Sequence, residues 1–471
     1  MAVNREFNKV LNPLDVLVTA FGAMIGWGWV VSTGGWLSKA GVLGTVLGFV
    51  IGGIMIFFVG LTYSELTTAM PQAGGVRVFS ARAFGSWGSY ICSWFMILSY
   101  IGVVCFEACS LPTVIQYIFP GFLKGYLYTV AGFDIYLTWL VFAVIMATLI
   151  TYINIRGLKA AAILQTILTV IIATVGIILV VASAFNGSAS NLNGQAFLGE
   201  DGFDILKNIM SVAVIAPFFL FGFDVIPQVA EEINVPLKKV GKLMLLSIIL
   251  AVGFYGLVVF AVGFMMNAKD IAESLEMSGL VTADAMAKAF SSATMAKVLI
   301  IGGICGIVTS WNSFLMGGSR ALFSMAEAHM IPSIFGKLHR QYKTPVNAII
   351  LVGGLSIFSV FFDRTMLIWI SDVASFACCI AYCMVAIAFV ILRKREPDLR
   401  RPYKVKHFML VGLLAIIMSG IMAVLYLVPG SGCSFTTEEL IIALSWAVLG
   451  IGFAIGSKKR YGNMFGRDNN R

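Results

Sequence analysis

The chain has 471 residues, 59% of them hydrophobic and 12% charged, with a formal net charge of +9 and a mean hydropathy of +0.94. That balance excludes a soluble globular domain, and apolar runs of about 20 residues, each long enough to cross a bilayer, recur about twelve times. It also excludes a nucleic-acid footprint: with the N-terminus on the cytoplasmic side, about 25 of the 32 Lys and Arg fall in the termini and alternate loops on that side, so the charge encodes orientation.

Residues 1–12 form a short polar N-terminus that leads straight into a full-length span, with no removable signal peptide expected. The first span, near 13–36, reads Gly22-Ala-Met-Ile-Gly26-Trp-Gly28-Trp29. Each glycine costs a helix roughly 1 kcal/mol relative to alanine. The stretch therefore predicts an interruption whose opened backbone lines a cavity and binds something polar, with a small-residue packing seam as the alternative. The second span, near 42–66, carries Gly44, Gly48 and Gly52 as a close-packing face, and Glu65, Pro71 and Gly74-Gly75 mark the turn after it. Deep in the third span, near 88–118, lies Glu107. A carboxylate there costs roughly 2.5–3.5 kcal/mol, so it faces a cavity or partner, carries a proton, or is hydrated near the outer interface. Spans four and five, near 136–154 and 158–185, are joined by the basic turn Asn154-Ile-Arg156-Gly157-Leu-Lys159, and residues 186–207 are an outer loop.

The sixth span, near 208–228, repeats the device of the first: Ala216-Pro217-Phe218-Phe219-Leu220-Phe221-Gly222-Phe223-Asp224. Pro, Gly and an acid disfavour an unbroken membrane helix. The two breaks are offset by five spans, an odd number that reverses topology. Residues 13–185 and 208–392 are thus expected to form an inverted repeat with the substrate between the two breaks. Span seven (near 243–267) is followed by an amphipathic outer segment, Lys269 to Lys297. Span eight, near 298–318, is polar along one side at Thr309, Ser310, Trp311 and Asn312. Spans nine and ten lie near 346–362 and 366–392, and the cytoplasmic loop 393–407 is dense in Arg and Lys, where anionic lipid headgroups would meet it. Residues 408–456 hold spans eleven and twelve, assigned to scaffold or homodimer contact, and 457–471 form a cytoplasmic tail. Of the eight cysteines, Cys378, Cys379 and Cys383 share a helix without a histidine or carboxylate at ligand spacing, so packing is expected rather than a metal site or disulfide framework.

In their order and spacing these residues resemble the amino acid, polyamine and organocation permease superfamily along nearly the whole chain. The resemblance rests on the broken segment Gly22 to Gly28, Glu65 with Pro71 and Gly74-Gly75, and Asn154-Ile-Arg156-Gly157. It continues through Phe221-Gly222-Phe223-Asp224 with Glu231-Glu232 and Pro236, Asn312 with Ser319-Arg320, and Leu392-Arg-Lys-Arg-Glu-Pro397-Asp-Leu-Arg-Arg401-Pro402-Tyr403. It implies an all-α membrane fold of about twelve transmembrane helices: a five-plus-five inverted repeat with broken helices one and six, plus two extra C-terminal helices. It also implies alternating access. By similarity, the N–H groups of Gly26, Trp27 and Gly28 hold a substrate carboxylate, and carbonyls at Met24, Phe218 and Phe221 beside Gly222 hold its amino group. Phe218 takes the place of an aromatic gate.

The chain departs from the family at Trp27, where a small residue is usual, at Asp224, more often Glu, and at Ala326-Glu327-Ala328-His329, which replaces Ala-Arg-Asp-Gly. Trp311 aligns with a tryptophan that packs on a cationic substrate head in relatives, a contact worth about 2 kcal/mol when desolvated. With Glu107 beside it, a cationic amino acid or amine is expected; the alternative is that Trp311 only packs. Proton-coupled relatives place a lysine in span five where this chain has Ile172, and all three histidines lie in loops. Gly306, Thr309 and Ser310 with carbonyls of the first break are candidates for a Na⁺ site, and Asp224 is a further ion-coupling candidate. The coupling ion is Na⁺ or H⁺, and no other cofactor is implied. The expected protein is a secondary transporter of the bacterial inner membrane, termini cytoplasmic, moving amino acids. The alternatives are an amine, polyamine or ethanolamine permease or exchanger, a non-transporting receptor, and a light-chain-like subunit. No catalytic constellation supports an enzyme.

Overall fold

The computed structural model describes residues 7–119, 121–130, 133–362 and 365–461; the expectations for residues 1–6 and 462–471 lie outside them. Asn12 starts the first helix: its side chain accepts from the N–H groups of Leu14 and Asp15 while Asp15 accepts in return, and Pro13 stands where a missing N–H costs nothing. Helix α1 (Pro13–Met24) then stops, α2 (Gly28–Val31) is a single turn, and α3 (Thr33–Ala69) leads out of the first span into the second. The corner between those spans is Gly41, φ +75°, where a side chain would strike the Gln195 and Ala196 carbonyls. Helix α4 (Gly75–Ile118) follows and bends at Gly85, φ +70°. Next come α5 (Leu137–Arg156) and α6 (Leu158–Asn186), then α7 (Gly202–Leu220) and the one-turn α8 (Val225–Gln228). The long α9 (Leu237–Met265) precedes two short helices, α10 (Ala268–Met277) and α11 (Val281–Phe290), which lie in the segment expected to be amphipathic. The chain closes with α12 (Ala293–Glu327), α13 (Val346–Ser359), α14 (Thr365–Arg395), α15 (Phe408–Leu425) and α16 (Thr437–Tyr461).

Eleven helical stretches among the described residues are long and apolar enough to cross a bilayer, and Val346–Phe362 is a shorter apolar helix; the eleven and the one make twelve. One element departs from an all-helical chain. Strands β1 (Tyr126–Val130) and β2 (Phe133–Tyr136) pair antiparallel between α4 and α5, with Thr129 opposite Asp134. The segment is rich in aromatic and β-branched residues, which suit a pleated strand, and the Thr129 hydroxyl donates to Asp134 at 2.6 Å.

The packing fits the expected inverted repeat in part. When spans one to five are exchanged for spans six to ten, several pairs of neighbouring helices map onto one another. Thus α1 packs on α9 as α7 packs on α3, and α1 packs on α6 as α7 packs on α14. Likewise α4 packs on α14 as α12 packs on α6, and α5 packs on α12 as α13 packs on α4. Over the 18-residue stretch that qualifies each as a span, the third and sixth are each 89% buried, whereas α15 and α16 are 33% and 17% buried, so the last two helices are peripheral. In water an apolar helix face demands a protein partner, but in lipid it does not.

Three buried ion pairs, two of them sharing Glu65, lie on the face that carries the basic loops. Glu65, fully buried, meets Arg393 at 2.7 Å and Arg401 at 3.0 Å and accepts the Val405 N–H at 2.7 Å. Arg320 meets Glu232 at 2.9 Å with both side chains buried. The residue runs that carried the resemblance, far apart in sequence, thus meet as charge partners. Nearby the N-terminal segment is strapped to the chain after α8: the N–H groups of Val10 and Leu11 donate to the Glu232 carbonyl at 2.9 and 3.1 Å, and Phe7 packs edge-on against Phe323.

Candidate functional site

The first break spans Ile25 to Trp27, between α1 and α2. Its three glycines are each required by a different neighbour. A side chain at Gly22 would strike the Thr169 hydroxyl of α6, one at Gly26 the Glu107 carboxylate of α4, and one at Gly28 the Phe219 ring of α7. The bulk of Trp27 is accommodated on the far side, where a Cβ at Gly303 of α12 would lie 2.1 Å from its ring. The unusual tryptophan is therefore matched by a missing side chain on the facing helix.

The second break follows Pro217 in the last turn of α7. Gly222, φ +145°, takes a conformation that side chains rarely adopt. Asp224 stabilises it by accepting the Gly222 N–H at 2.7 Å, and the Tyr100 hydroxyl donates to the Asp224 carbonyl at 2.9 Å. The two breaks touch: a Cβ at Gly222 would lie 2.7 Å from Ala23 Cβ and 3.0 Å from the Met24 nitrogen. Across from them, the Tyr255 hydroxyl donates to the Met24 carbonyl at 3.1 Å.

Where the breaks meet is a cavity of about 20 Å³ lined by the first broken segment, by Phe218 and Phe219 at the end of α7, by Glu107, by Tyr255 and by Ser310 and Phe314 of α12. That is room for about one water molecule. Rings crowd it, with Phe106 to Phe218 at 5.3 Å, Phe218 to Phe221 at 5.7 Å and Phe221 to Phe314 at 4.9 Å between centroids. An amino-acid-sized ligand enters only when these rings move.

Glu107 supplies the one carboxyl group among the described residues that line this cavity. It is 2% exposed, and its Oε1 lies 2.5 Å from where a Gly26 Cβ would sit. The Trp27 backbone N–H and the Ser310 hydroxyl face its carboxylate, and its Oε2 has no hydrogen-bond partner among the described residues. No Lys, Arg or His is among the residues that line the cavity.

Of the residues singled out in the sequence, Met24, Gly26, Trp27, Gly28, Phe218, Glu107 and Ser310 line the cavity, and Phe221 and Gly222 form the second break beside it. Trp311 is fully buried on α12 but does not line it; Ser310 and Phe314 are the α12 side chains that do. Gly306 and Thr309 approach the first break from the other side. A Cβ at Gly306 would lie 2.5 Å from the Gly26 carbonyl oxygen, and the Thr309 hydroxyl is 3.1 Å from the Gly22 carbonyl and 3.0 Å from that of Gly306. Ser310 turns instead to Glu107, and Asp224 belongs to the second break. Phe106, Phe219, Tyr255, Gly303 and Phe314 escaped the sequence reading. Only the pair Gly302-Gly303, set in span eight like the glycines of span one, carried a signal.

The profile of the family described as amino acid permease matches residues 11–453, and so both breaks and the cavity. The chain belongs to that family. This permease is therefore a multi-span membrane transporter and not an enzyme. It is similar to a branched-chain amino acid permease of Bacillus subtilis, 24% identical over 88% of this chain and 87% of the relative. It is also similar to an aspartate-proton symporter of the same bacterium, 25% identical over 89% of this chain and 79% of the relative. A vacuolar cationic amino acid transporter of Arabidopsis thaliana is 24% identical over 96% of this permease and 74% of its own length.

Proposed function

We propose that this permease carries an amino acid across the plasma membrane by alternating access, with the substrate held where the two broken spans cross. The observation that carries this reading is the contact of Gly222 with Met24 beside a small cavity lined by the opened backbone of the first break and by Phe218 and Phe219 just before the second. Opened backbone in a membrane interior is tolerated where it lines such a cavity, because its N–H and C=O groups then have a polar ligand to bind. The substrate carboxylate is assigned to the N–H groups of Gly26 to Gly28 and its ammonium to the carbonyls of the breaks. Met24 already accepts one hydrogen bond from Tyr255 and keeps a second lone pair. The substrate side chain rests on Phe106, Phe218 and Phe314, while the Arg320–Glu232 pair and the N-terminal strap close the basic face. The density of Lys and Arg in that face supports a cytoplasmic orientation for it.

The similar proteins are named for branched-chain, acidic and cationic substrates, so the names do not choose among side chains. The purified permease in liposomes, screened by counterflow and thermal stabilisation against all amino acids and their decarboxylated amines, tests the reading. Saturable counterflow of at least one amino acid is expected. Binding without counterflow would make it a receptor and overturn the reading.

A further inference from the structure

We propose that Glu107 is the proton-carrying group of this permease. Its ionised carboxylate holds the place that the substrate's own carboxylate takes, so an amino acid binds as Glu107 gains a proton. The proposal rests on the transport reading above and names its coupling.

Position comes first. Glu107 reaches from α4 into the first break: its Oε1 lies against Gly26, and its carboxylate faces the Trp27 N–H and the Ser310 hydroxyl. The break thus already has a carboxyl group in it, supplied by the chain. Two carboxylates sharing one site do not both stay ionised, since like charges at contact favour the protonated form of one.

Among the described residues that line the cavity there is no counter-charge. The first break presents backbone and the Trp27 ring, α7 presents Phe218 and Phe219, and α12 presents Ser310 and Phe314. From α9 comes the Tyr255 phenol, whose hydroxyl is spent on the Met24 carbonyl. A buried carboxylate with one oxygen unpartnered and no cation beside it is costly in a membrane. A proton removes that cost.

The step balances with one proton. The Glu107 carboxylate takes up H⁺ to become a carboxylic acid, and its hydrogen bond from the Trp27 N–H breaks. The substrate carboxylate accepts that N–H, and the new Glu107 hydroxyl donates to the Ser310 oxygen. On the other side of the membrane the substrate leaves, the proton follows, and the carboxylate returns to Trp27. One proton accompanies each zwitterion, so one net positive charge crosses per cycle.

The test uses the full chain in liposomes, with labelled L-leucine, L-serine and L-arginine as probes and cadaverine as the amine control. In the wild type, an acid-outside gradient drives accumulation and an inside-negative potential increases it. Glu107→Gln loses gradient-driven accumulation at least tenfold, and its exchange rate becomes flat between about pH 5 and about pH 8. Ser310→Ala removes a hydrogen bond to the charged form and moves the pH midpoint of uptake up by about one unit. Accumulation and pH profile unchanged in Glu107→Gln would overturn the proposal, and if that variant does not fold, an unmoved midpoint in Ser310→Ala does so. Uptake of cadaverine but of no amino acid, abolished in Glu107→Gln, would also overturn it by making Glu107 the partner of a substrate ammonium. Absence of any exchange in the wild type overturns the transport reading and this proposal with it.

Discussion

Replacing Gly303 with alanine tests how the first break is held. The added Cβ would lie 2.1 Å from Trp27 Cζ3, 2.6 Å from Cε3 and 3.2 Å from Val30 Cγ2. Carbon atoms rest about 3.5–4.0 Å apart, so the indole must retreat by about 1.5 Å. It has little room: Trp27 is 1% exposed, and the cavity beside it holds about 20 Å³. Overpacking of this kind costs about 1–3 kcal/mol, and here the strain passes into the backbone that forms the site. Gly303→Ala is therefore expected to lower the melting temperature of the purified protein and to reduce counterflow. Adding Trp27→Phe shortens the offending ring, so the double variant should be more stable than the sum of the single losses predicts, with a coupling of about 1 kcal/mol or more. Strictly additive losses, or a Gly303→Ala protein that melts and transports like wild type, would refute the reasoning.

Other substitutions probe the rest of the account. Arg320→Ala leaves Glu232 buried without its partner and should cost about 3–5 kcal/mol in chemical denaturation. Burial pushes the Glu232 carboxyl up while Arg320 opposes it. In that variant the unpaired charge destabilises at neutral pH, and acidification that protonates Glu232 should recover part of the loss; no recovery would contradict the pairing. Tyr255→Phe removes the donor to the Met24 carbonyl and should cost about 1 kcal/mol, read as a lower melting temperature with an altered counterflow KM. Replacing Na⁺ by choline at fixed pH should leave uptake unchanged within about twofold, since Thr309 finds acceptors in the Gly22 and Gly306 carbonyls and Ser310 serves Glu107. Loss of uptake in choline would instead make Gly306 and Thr309 part of a cation site.

Much of the fold was legible because membrane spans announce themselves by length and because glycine, proline and acid are costly in them. Gly22 to Gly28 and Pro217 to Asp224 marked both breaks, and their offset by five spans carried the inverted repeat. The hairpin from Tyr126 to Tyr136 was missed because a short aromatic stretch between spans has no membrane-length signal. The site was only half legible. Backbone groups and Phe218 follow from the breaks, but Tyr255, Phe219 and Phe314 are aromatic residues in aromatic-rich helices, and only tertiary packing selects them. Trp311 and Ser310 show the same limit: adjacent on one helix, they point about 100° apart, and one reaches the cavity while the other does not.

The central claim is that an amino acid occupies the crossing of the two breaks. Ser310→Cys places a thiol beside Glu107, and its modification by a small methanethiosulfonate reagent, read at that residue by mass spectrometry, reports access to the cavity. The account predicts that the amino acid giving counterflow slows this labelling in a saturable manner, with half-protection near its transport KM. Labelling at residue 310 that saturating substrate leaves untouched, while counterflow proceeds, would contradict it.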